Sequence, residues 1–369
     1  MRNAQMIIKN FSPAWFASVM GTGIVAITSY FYSAGFVWLK DLATVLWVLN
    51  ILLFGFLIVP WVLRFILYRQ EAMSDFSEPV TGQFYATMPI ACLVIAAGLL
   101  IIGVDGPAPY LAIGLAKGFW ISGTLIALIF AVIIPLQSFT NREVRIENVN
   151  PAWFMPPVSL IVIPVPGAKL IAHWPESWQQ IMLIVNYISW GSGFFLFLLL
   201  EVICVYRFIC RPPLHGRLAP TVWINLGPIG VGTIALLNLA SAGMPFEGRH
   251  VESVLQLLAL FLWGFGFWWI ICAICLTIYY LRNNDLPFSL AWWAFTFPLG
   301  AYTGATYLVA VLLDSSFIYG YGFLCYLLLL TLWSVVFGRT LAGVRKMEFF
   351  KFSTLEKQDH SYSGHNDHA

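Results

Sequence analysis

Long apolar segments, separated by short polar stretches, account for most of this chain. Each segment is at least as long as the roughly 20 residues with which an α-helix crosses a bilayer. We identify ten of them, at 12–33, 41–67, 84–103, 110–138, 151–170, 178–209, 220–242, 253–281, 291–313 and 318–344. This spacing predicts an all-α polytopic membrane protein with ten transmembrane helices.

The segments alternate between two kinds. The even-numbered segments are long and rich in Leu, Ile, Phe and Trp, as expected of helices that face lipid. The odd-numbered ones are shorter and interrupted by Pro, Gly, Ser, Thr and Asn, as in 221–230. Such residues are tolerated at membrane depth where neighbouring helices or a water-lined cavity satisfy the backbone. We therefore expect the odd helices inside and the even helices outside.

A repeat of about 70 residues underlies this alternation. Pro89, Pro157, Pro228 and Pro298 follow one another at intervals of 68, 71 and 70 residues, and one more interval before Pro89 leads to Met20. A single interval would mean little among 20 prolines. Aromatic residues also recur five positions before the aligned points, or four in the third repeat: Trp15, Phe84, Trp153, Trp223 and Trp293. The joint match predicts five helical hairpins in a quasi-five-fold arrangement around a central pore.

Composition and charge agree with this architecture. Hydrophobic residues make up 60% of the chain and charged residues only 10%, which excludes an ordinary soluble domain. Fifteen Lys and Arg fall on the side of the amino terminus and four, Lys40, Lys117, Lys169 and Arg249, on the other. The positive-inside rule therefore predicts a cell-membrane protein with both termini in the cytoplasm.

We expect a single transmembrane domain over 1–346 and a polar cytoplasmic tail over 347–369. The tail histidines His360, His365 and His368 would hold a metal only weakly, and a solvated tail is the favoured interpretation. Cys272 and Cys275 have the spacing of half a zinc site without a second pair, which favours core packing. Nucleotide-binding, zinc-protease and hydrolase motifs are missing from the sequence. We therefore predict no enzyme, no cofactor, no metal site and no nucleic-acid partner.

The repeating prolines predict a narrow waist. A proline inside a helix leaves one carbonyl without its partner and bends the segment, and the helix end that follows is partially positive. Five such bends at one depth favour an anionic substrate, although kinks that serve packing are the alternative. The positions before the aligned points are Val19, Met88, Pro156, Gly227 and Phe297. Phe297 is the only bulky ring among them, and it is either a gate or an ordinary packing residue.

Polar side chains on the odd helices are further candidates, because they can donate hydrogen bonds to an oxyanion. Bonds between helices are the alternative for each hydroxyl, whereas Asn225 and Asn238 are more informative because a lipid-facing amide is costly. Thr87 and Thr296 belong to this polar set. The candidate pore-lining residues are Val19, Thr22, Met88, Pro89, Pro156, Pro157, Ser159, Asn225, Gly227, Pro228, Thr233, Asn238, Pro298 and Thr303.

Three charged residues within the segments have candidate roles. Glu201 would carry a coupling proton or pair with a nearby base. Lys169, at the outer end of an odd helix, would draw anions toward the mouth. Lys117 would do the same, or extend to the interface without such a role.

Several stretches resemble the tellurite-resistance/dicarboxylate transporter family, which includes plant slow-type anion channels, fungal malate permeases and sulfite exporters. They are Asn10-Phe11-Ser12-Pro13-Ala14-Trp15-Phe16, Met20-Gly21-Thr22-Gly23, Pro151-Ala152-Trp153-Phe154 and Trp292-Trp293-Ala294-Phe295-Thr296-Phe297-Pro298. The resemblance implies a homotrimer whose protomers each hold a pore of five inner helices, occluded by a phenylalanine on the ninth. That residue is Phe297 here. The chain departs from the repeat at Met20, which has no proline, and from a basic ring at the waist, which is missing.

Together these observations predict a permease or channel for small anions, with a C4-dicarboxylate such as malate as the first candidate substrate. A sulfite or inorganic-anion channel or exporter, including tellurite resistance, is the alternative. A membrane receptor or scaffold without flux is a third class.

Overall fold

The computed structural model describes residues 2–76, 78–140, 145–283 and 285–350. Across these residues ten helical segments are long and apolar enough to cross a membrane, which confirms the predicted number. We number them spans 1 to 10: Pro13–Ala34, Trp38–Leu67, Gly82–Asp105, Pro109–Thr140, Pro151–His173, Glu176–Cys210, Gly216–Glu247, Arg249–Arg282, Leu290–Leu312 and Ser316–Arg345. The short helices Arg2–Lys9 and Arg69–Asp75 precede spans 1 and 3. Several spans extend past the predicted apolar segments, because helix ends continue into polar residues.

Some of the residues on which the predicted topology depends lie outside the described ranges. The basic residues Arg142, Lys351 and Lys357 and the tail histidines His360, His365 and His368 lie outside the described residues. At the start of the predicted tail, Phe350 is buried and stacks on Trp15 with ring centroids 5.7 Å apart. Residues 347–350 therefore pack against the beginning of span 1.

Burial separates the odd spans from the even ones. In the most apolar stretch of each odd span, between 78% and 89% of the residues are buried, against 28% to 39% in the even spans. Each even span packs against the odd span that precedes it, so the chain forms five helical hairpins. The odd spans form the interior of the protein and the even spans its outer surface, as their compositions predict.

Contacts among the odd spans close a ring. Span 1 packs against span 3, span 3 against span 5, span 5 against span 7, and span 7 against span 9, which packs back against span 1. Glycines allow close approach around this ring. A Cβ on Gly230 would lie 2.4 Å from the backbone of Ala301, and a Cβ on Gly300 would lie 2.5 Å from Ile24. Spans 7 and 9 and spans 9 and 1 therefore meet at distances that only glycine permits at these positions.

Every odd span begins with 3-10 helix and continues as α-helix. The α-helical parts begin at Phe16, Thr87, Met155, Leu226 and Phe297. Pro89, Pro157 and Pro228 are the third residues of their α-helices and Pro298 is the second. The 3-10 segments contact one another in the same ring order as the helices that follow them.

The prediction that each proline lies inside an α-helix is therefore corrected. The prolines lie in the first turn of the α-helices, where the fixed φ of proline is compatible with the start of a helix. The interruption is instead a change of winding from 3-10 to α just before each proline. In the first repeat, which lacks the proline, the α-helix begins at Phe16 and Met20 is its fifth residue.

Indole hydrogen bonds anchor the outer spans to the ring. Trp333 Nε1 donates to Thr22 Oγ1 at 3.1 Å, and Trp263 Nε1 donates to Thr306 Oγ1 at 3.0 Å. Trp190 Nε1 donates to the carbonyl of Gly232 at 3.2 Å. A buried Trp needs such an acceptor for its N–H, and here the acceptors lie on inner spans 1, 9 and 7. These bonds fix the outer spans against the ring.

Candidate functional site

Phe297 lies where span 9 changes from 3-10 to α winding. It is the first residue of the helix Phe297–Leu312, and its side chain is 4% exposed. The preceding hydroxyl, Thr296 Oγ1, donates to the carbonyl of Trp293 at 2.7 Å and closes the turn. The phenyl group of Phe297 lies between two cavities, both enclosed by the five odd spans.

We call the first of these the lower cavity. It lies toward the near face, which is the face of the protein at which the odd spans begin. All five odd spans contribute to its wall, through residues that include Met20, Thr87, Val158, Gly227 and Phe297. Its volume is about 20 Å³, little more than the ~10–15 Å³ that one water molecule needs. Among the described residues its lining contains no charged side chain.

The second, the middle cavity, lies on the opposite side of Phe297. All five odd spans contribute again, through residues that include Ile27, Val94, Val162, Ile234 and Phe297. Its volume is about 70 Å³. Its wall is apolar apart from Lys169 and Asn238, which lie at the end remote from Phe297, near the ends of spans 5 and 7.

Lys169 and Asn238 also line a third space, the vestibule, together with Gln179 and Ser241. The vestibule has a volume of about 340 Å³ and lies toward the face at which the odd spans end, the far face. Asn238 Nδ2 donates to the carbonyl of Val165 at 2.9 Å, which fixes the amide in place. These two polar residues therefore form the neck between the middle cavity and the vestibule.

Phe297 is the one described residue that lines both the lower and the middle cavity. Five features follow one another through the interior of the odd spans: the lower cavity, the phenyl group of Phe297, the middle cavity, the neck and the vestibule. Lys169 is the only charged residue in the described lining of the two cavities.

The sequence-predicted lining residues divide into two groups. Gly227, Pro298 and Thr87 line the lower cavity, Asn238 and Lys169 the middle one, and Phe297 both. The other predicted lining residues are buried and lie outside the linings of these three described spaces: Val19, Thr22, Met88, Pro89, Pro156, Pro157, Ser159, Asn225, Pro228, Thr233 and Thr303.

The predicted hydroxyls have local partners. Thr233 Oγ1 and Thr303 Oγ1 each donate at 2.8 Å to the carbonyl four residues earlier in their own helix. Ser159 Oγ donates to the carbonyl of Pro156 at 2.6 Å. Thr22 accepts the indole N–H of Trp333 on span 10. Their hydrogen bonds therefore run along helices or to the outer spans.

Glu201 of span 6 meets Asn225 at the end of the 3-10 segment of span 7. Asn225 Nδ2 donates to Glu201 Oε1 at 2.8 Å, and both side chains are buried, with exposures of 0% and 7%. The other carboxyl oxygen, Glu201 Oε2, and the amide oxygen, Asn225 Oδ1, are buried with no hydrogen-bond partner among the described residues. Lys117, by contrast, donates to the carbonyl of His173 and lies over the ring of Trp174.

Sequence reasoning missed the apolar walls. Val158 and Ile224 in the lower cavity and Ile27, Val94 and Ile234 in the middle cavity are ordinary aliphatic residues. Because the odd spans are buried on nearly all sides, no polar stripe distinguishes the side that faces the cavities. Only a repeat alignment carried beyond the proline positions would have indicated that side.

The profile of the voltage-dependent anion channel family (SLAC1) matches residues 10–341. An uncharacterized transporter of Methanocaldococcus jannaschii is 41% identical over 345 residues, which cover 94% of this chain and 96% of that protein. The sulfite efflux pump of Arthroderma otae is 26% identical over 361 residues, 95% of each chain. The malic acid transport protein of Schizosaccharomyces pombe is 23% identical over 336 residues, 88% of this chain and 76% of that protein. These similarities confirm the family resemblance of the sequence motifs.

Proposed function

Because this chain belongs to the voltage-dependent anion channel family, and is an anion transporter or channel rather than an enzyme, we propose that anions cross it along the axis of the five odd spans. In this proposal the five hairpins surround a central pore in quasi-five-fold arrangement. The observation that carries it is the position of Phe297, the one described residue common to the linings of the lower and middle cavities. Gly227, Pro298 and Asn238 line the same path.

Phe297 is the proposed gate. The lower cavity beside it has room for about one water molecule, so an anion cannot rest there unless the ring moves. An apolar constriction of this kind also resists wetting and blocks ions. Rotation of the phenyl ring would join the two cavities. The structure is therefore interpreted as the closed form.

Lys169 is the proposed anion-binding group at the far side of the gate. Its side chain lines both the middle cavity and the vestibule, and it makes no ion pair among the described residues. A cation at the neck of a low-dielectric passage concentrates anions there. Asn238 at the same neck supplies polar atoms of fixed orientation.

The charge of the passage favours a small inorganic oxyanion of the sulfite class as substrate. One lysine at the neck balances one negative charge, and the remaining wall of the middle cavity is apolar apart from Asn238. A compact ion such as hydrogensulfite places its whole charge within reach of Lys169. The similarity to a sulfite efflux pump over 95% of both chains agrees with this choice.

A C4-dicarboxylate such as malate is the second candidate, favoured by the similarity to a malic acid transport protein. Malate has carboxylates at both ends, so binding one at Lys169 would leave the other against Ile27, Val94 and Val162. An unpaired charge in such surroundings is costly. Malate would therefore cross as its monoanion.

Flux through purified protein in proteoliposomes tests these proposals. Uptake of sulfite, malate, nitrate and chloride would be measured at several values of pH with the membrane potential clamped. We expect sulfite to be transported and to compete with malate. Uptake of every anion at the rate of liposomes without protein would refute the proposed pathway. Transport of malate in preference to sulfite would reverse the order of the two substrates.

We further propose that the protein is a homotrimer in the cell membrane, with both termini in the cytoplasm. Native mass spectrometry from nanodiscs would measure the subunit number, and a monomer would contradict the proposal. For topology, Val37→Cys places a thiol at an 80% exposed position on the far face, and Ser74→Cys places one on the near face. A membrane-impermeant thiol reagent applied to intact cells should label the first and not the second.

A further inference from the structure

Glu201 and Asn225 leave two buried oxygens without partners next to the proposed gate. The amide donates one hydrogen bond to the carboxyl group, at 2.8 Å, while Glu201 Oε2 and Asn225 Oδ1 make none among the described residues. Both of these oxygens are hydrogen-bond acceptors when Glu201 is ionised. Neither can therefore satisfy the other, and burying either without a partner is unfavourable.

A proton on Glu201 Oε2 would remove both defects. A protonated carboxyl has one O–H donor, and Asn225 Oδ1 is an acceptor. The two side chains would then exchange two hydrogen bonds, from Asn225 Nδ2 to Glu201 Oε1 and from the Glu201 hydroxyl to Asn225 Oδ1. An acid and an amide paired in this way are both neutral, as a buried site requires.

Few charged or titratable groups lie near this pair. On span 6, Cys204 is one turn beyond Glu201, and Arg207, six residues beyond it, donates to the carbonyl of Pro212. The segments Pro151–Phe154 and Met155–Val162, which pack against span 6, contain no ionisable side chain. The ionisable residues of the other elements packed against span 6 are Lys169, His173 and Glu247, toward the far face. The 3-10 segment that ends at Asn225 contains Arg217, eight residues before it.

We propose that Glu201 is a proton-binding site of the closed protein, and that its acid–amide pair with Asn225 couples proton uptake to the gate; this inference rests on the proposed anion pathway. Glu201 takes the proton from water and returns it to water, with no other bond made or broken. Because the proton completes the hydrogen bonding of the closed form, it stabilises that form. Opening that admits water to Glu201 releases the proton.

The coupling runs through span 7. Asn225 is the last residue of the 3-10 segment, and its neighbours Ile224 and Gly227 line the lower cavity. A Cβ on Gly227 would lie 3.8 Å from Pro298, the residue after Phe297. Asn225 is thus two residues from the contact between spans 7 and 9 at the gate. A shift of this junction away from span 6 changes the wall against which the phenyl ring packs.

The first experiment measures the proton directly and does not depend on flux. Infrared difference spectra of the full-length protein in nanodiscs, recorded across a pH titration, should contain the C=O stretching band of a buried protonated carboxylic acid. The band should disappear in Glu201→Gln and persist in Glu176→Gln, which makes the same change at an exposed position on the same helix. A spectrum of Glu201→Gln identical to that of the wild type would overturn the site.

The second experiment measures anion flux against pH. Wild-type flux of nitrate, whose charge does not change over this range of pH, should fall as the pH is lowered, since protonation stabilises the closed form. One buried hydrogen bond corresponds to about a tenfold change in the closed-to-open ratio. Glu201→Gln reproduces the neutral pair, with its amide donating to Asn225 Oδ1, and should give low flux at every pH. Asn225→Leu removes the partner and should give high flux at acidic pH.

Controls separate this inference from the proposed function. Glu176→Gln should retain the wild-type pH profile. If the wild type transports anions and Glu201→Gln keeps the same pH dependence, the coupling is refuted while the pathway stands. If no variant transports any anion, the pathway is refuted, and the infrared band still decides whether Glu201 binds a proton.

Discussion

The lower and middle cavities lie on opposite sides of one phenyl ring, yet they differ in what an anion would encounter. The lower cavity has a volume of about 20 Å³ and is lined without a charged residue, whereas the middle cavity has about 70 Å³ and ends at Lys169 and Asn238. In the proposed pathway the first excludes anions by its size and the second binds them by its charge. On this proposal exclusion and attraction occupy separate places in the protein, so separate substitutions should change them.

The largest expected effect comes from removing the ring between the cavities. Phe297→Ala should join them and raise anion conductance by on the order of tenfold, since the apolar constriction disappears. Planar-bilayer recording measures this conductance. Phe295→Ala is the control, because Phe295 is buried against Trp223 and Trp292 and lines neither cavity. Equal conductance in Phe297→Ala and the wild type would remove Phe297 as the gate.

The next effect concerns the charge of the middle cavity. Lys169→Met should raise the KM for the anion by about tenfold at low ionic strength, because the focusing cation is lost. The difference should shrink in high salt, which screens the attraction. Initial rates of uptake over a range of anion concentrations measure this KM.

Lys117→Met supplies the comparison for that charge. Lys117 lies near the same face, but its amino group bonds the carbonyl of His173. Its substitution should leave the KM unchanged. The same rise in KM for both variants would assign the effect to general surface charge rather than to the neck.

Substitutions at two glycines on span 7 test the lower cavity separately from the packing of the helices around it. A Cβ on Gly227 meets nothing closer than Pro298 at 3.8 Å, so Gly227→Ala should fold normally and reduce flux severalfold by filling the lower cavity. A Cβ on Gly230 would lie 2.4 Å from the Ala301 backbone. Gly230→Ala should therefore destabilise the protein by about 1–3 kcal/mol through overpacking.

Thermal denaturation in detergent and proteoliposome flux, measured together, test this pair. We expect a lower melting temperature for Gly230→Ala alone and a lower flux at unchanged melting temperature for Gly227→Ala. Loss of stability in both variants would mean that the lower cavity and the contact between spans 7 and 9 are one packed unit.

The smallest effect is expected at the indole anchors, which line neither cavity. Trp333→Phe keeps an aromatic ring but removes the donor to Thr22. The cost should be about 0.5–1.5 kcal/mol of stability, the usual contribution of one hydrogen bond. Anion flux should be unchanged. A changed flux would show that span 10 helps to set the width of the pathway.

The sequence predicted the architecture more fully than the site. Ten spans and the separation of buried odd spans from exposed even ones follow from segment length and composition. Phe297 could be singled out because it breaks a repeat of smaller residues. The prolines were predicted inside α-helices and lie in the first turns instead. A sequence does not distinguish the first turn of an α-helix from its middle.

Two features of the site were beyond sequence reasoning for physical reasons. A helix buried on all sides has no amphipathic pattern, so the aliphatic residues that face the cavities, such as Val94 and Ile234, look like the rest of the core. The hydrogen bond between Glu201 and Asn225 joins residues on adjacent spans, 24 positions apart. Its geometry depends on the rotation of two helices about their axes, which no local pattern specifies.

The proposal of Phe297 as the gate has a consequence for voltage dependence. A transmembrane potential of 100 mV acts with about 2.3 kcal/mol on each elementary charge that crosses the field. Rotation of an uncharged phenyl ring moves no such charge, so the motion of Phe297 has a gating charge near zero. Any steep voltage dependence of the current would then originate in charges that do move, namely the permeating anion itself or the proton proposed to exchange at Glu201.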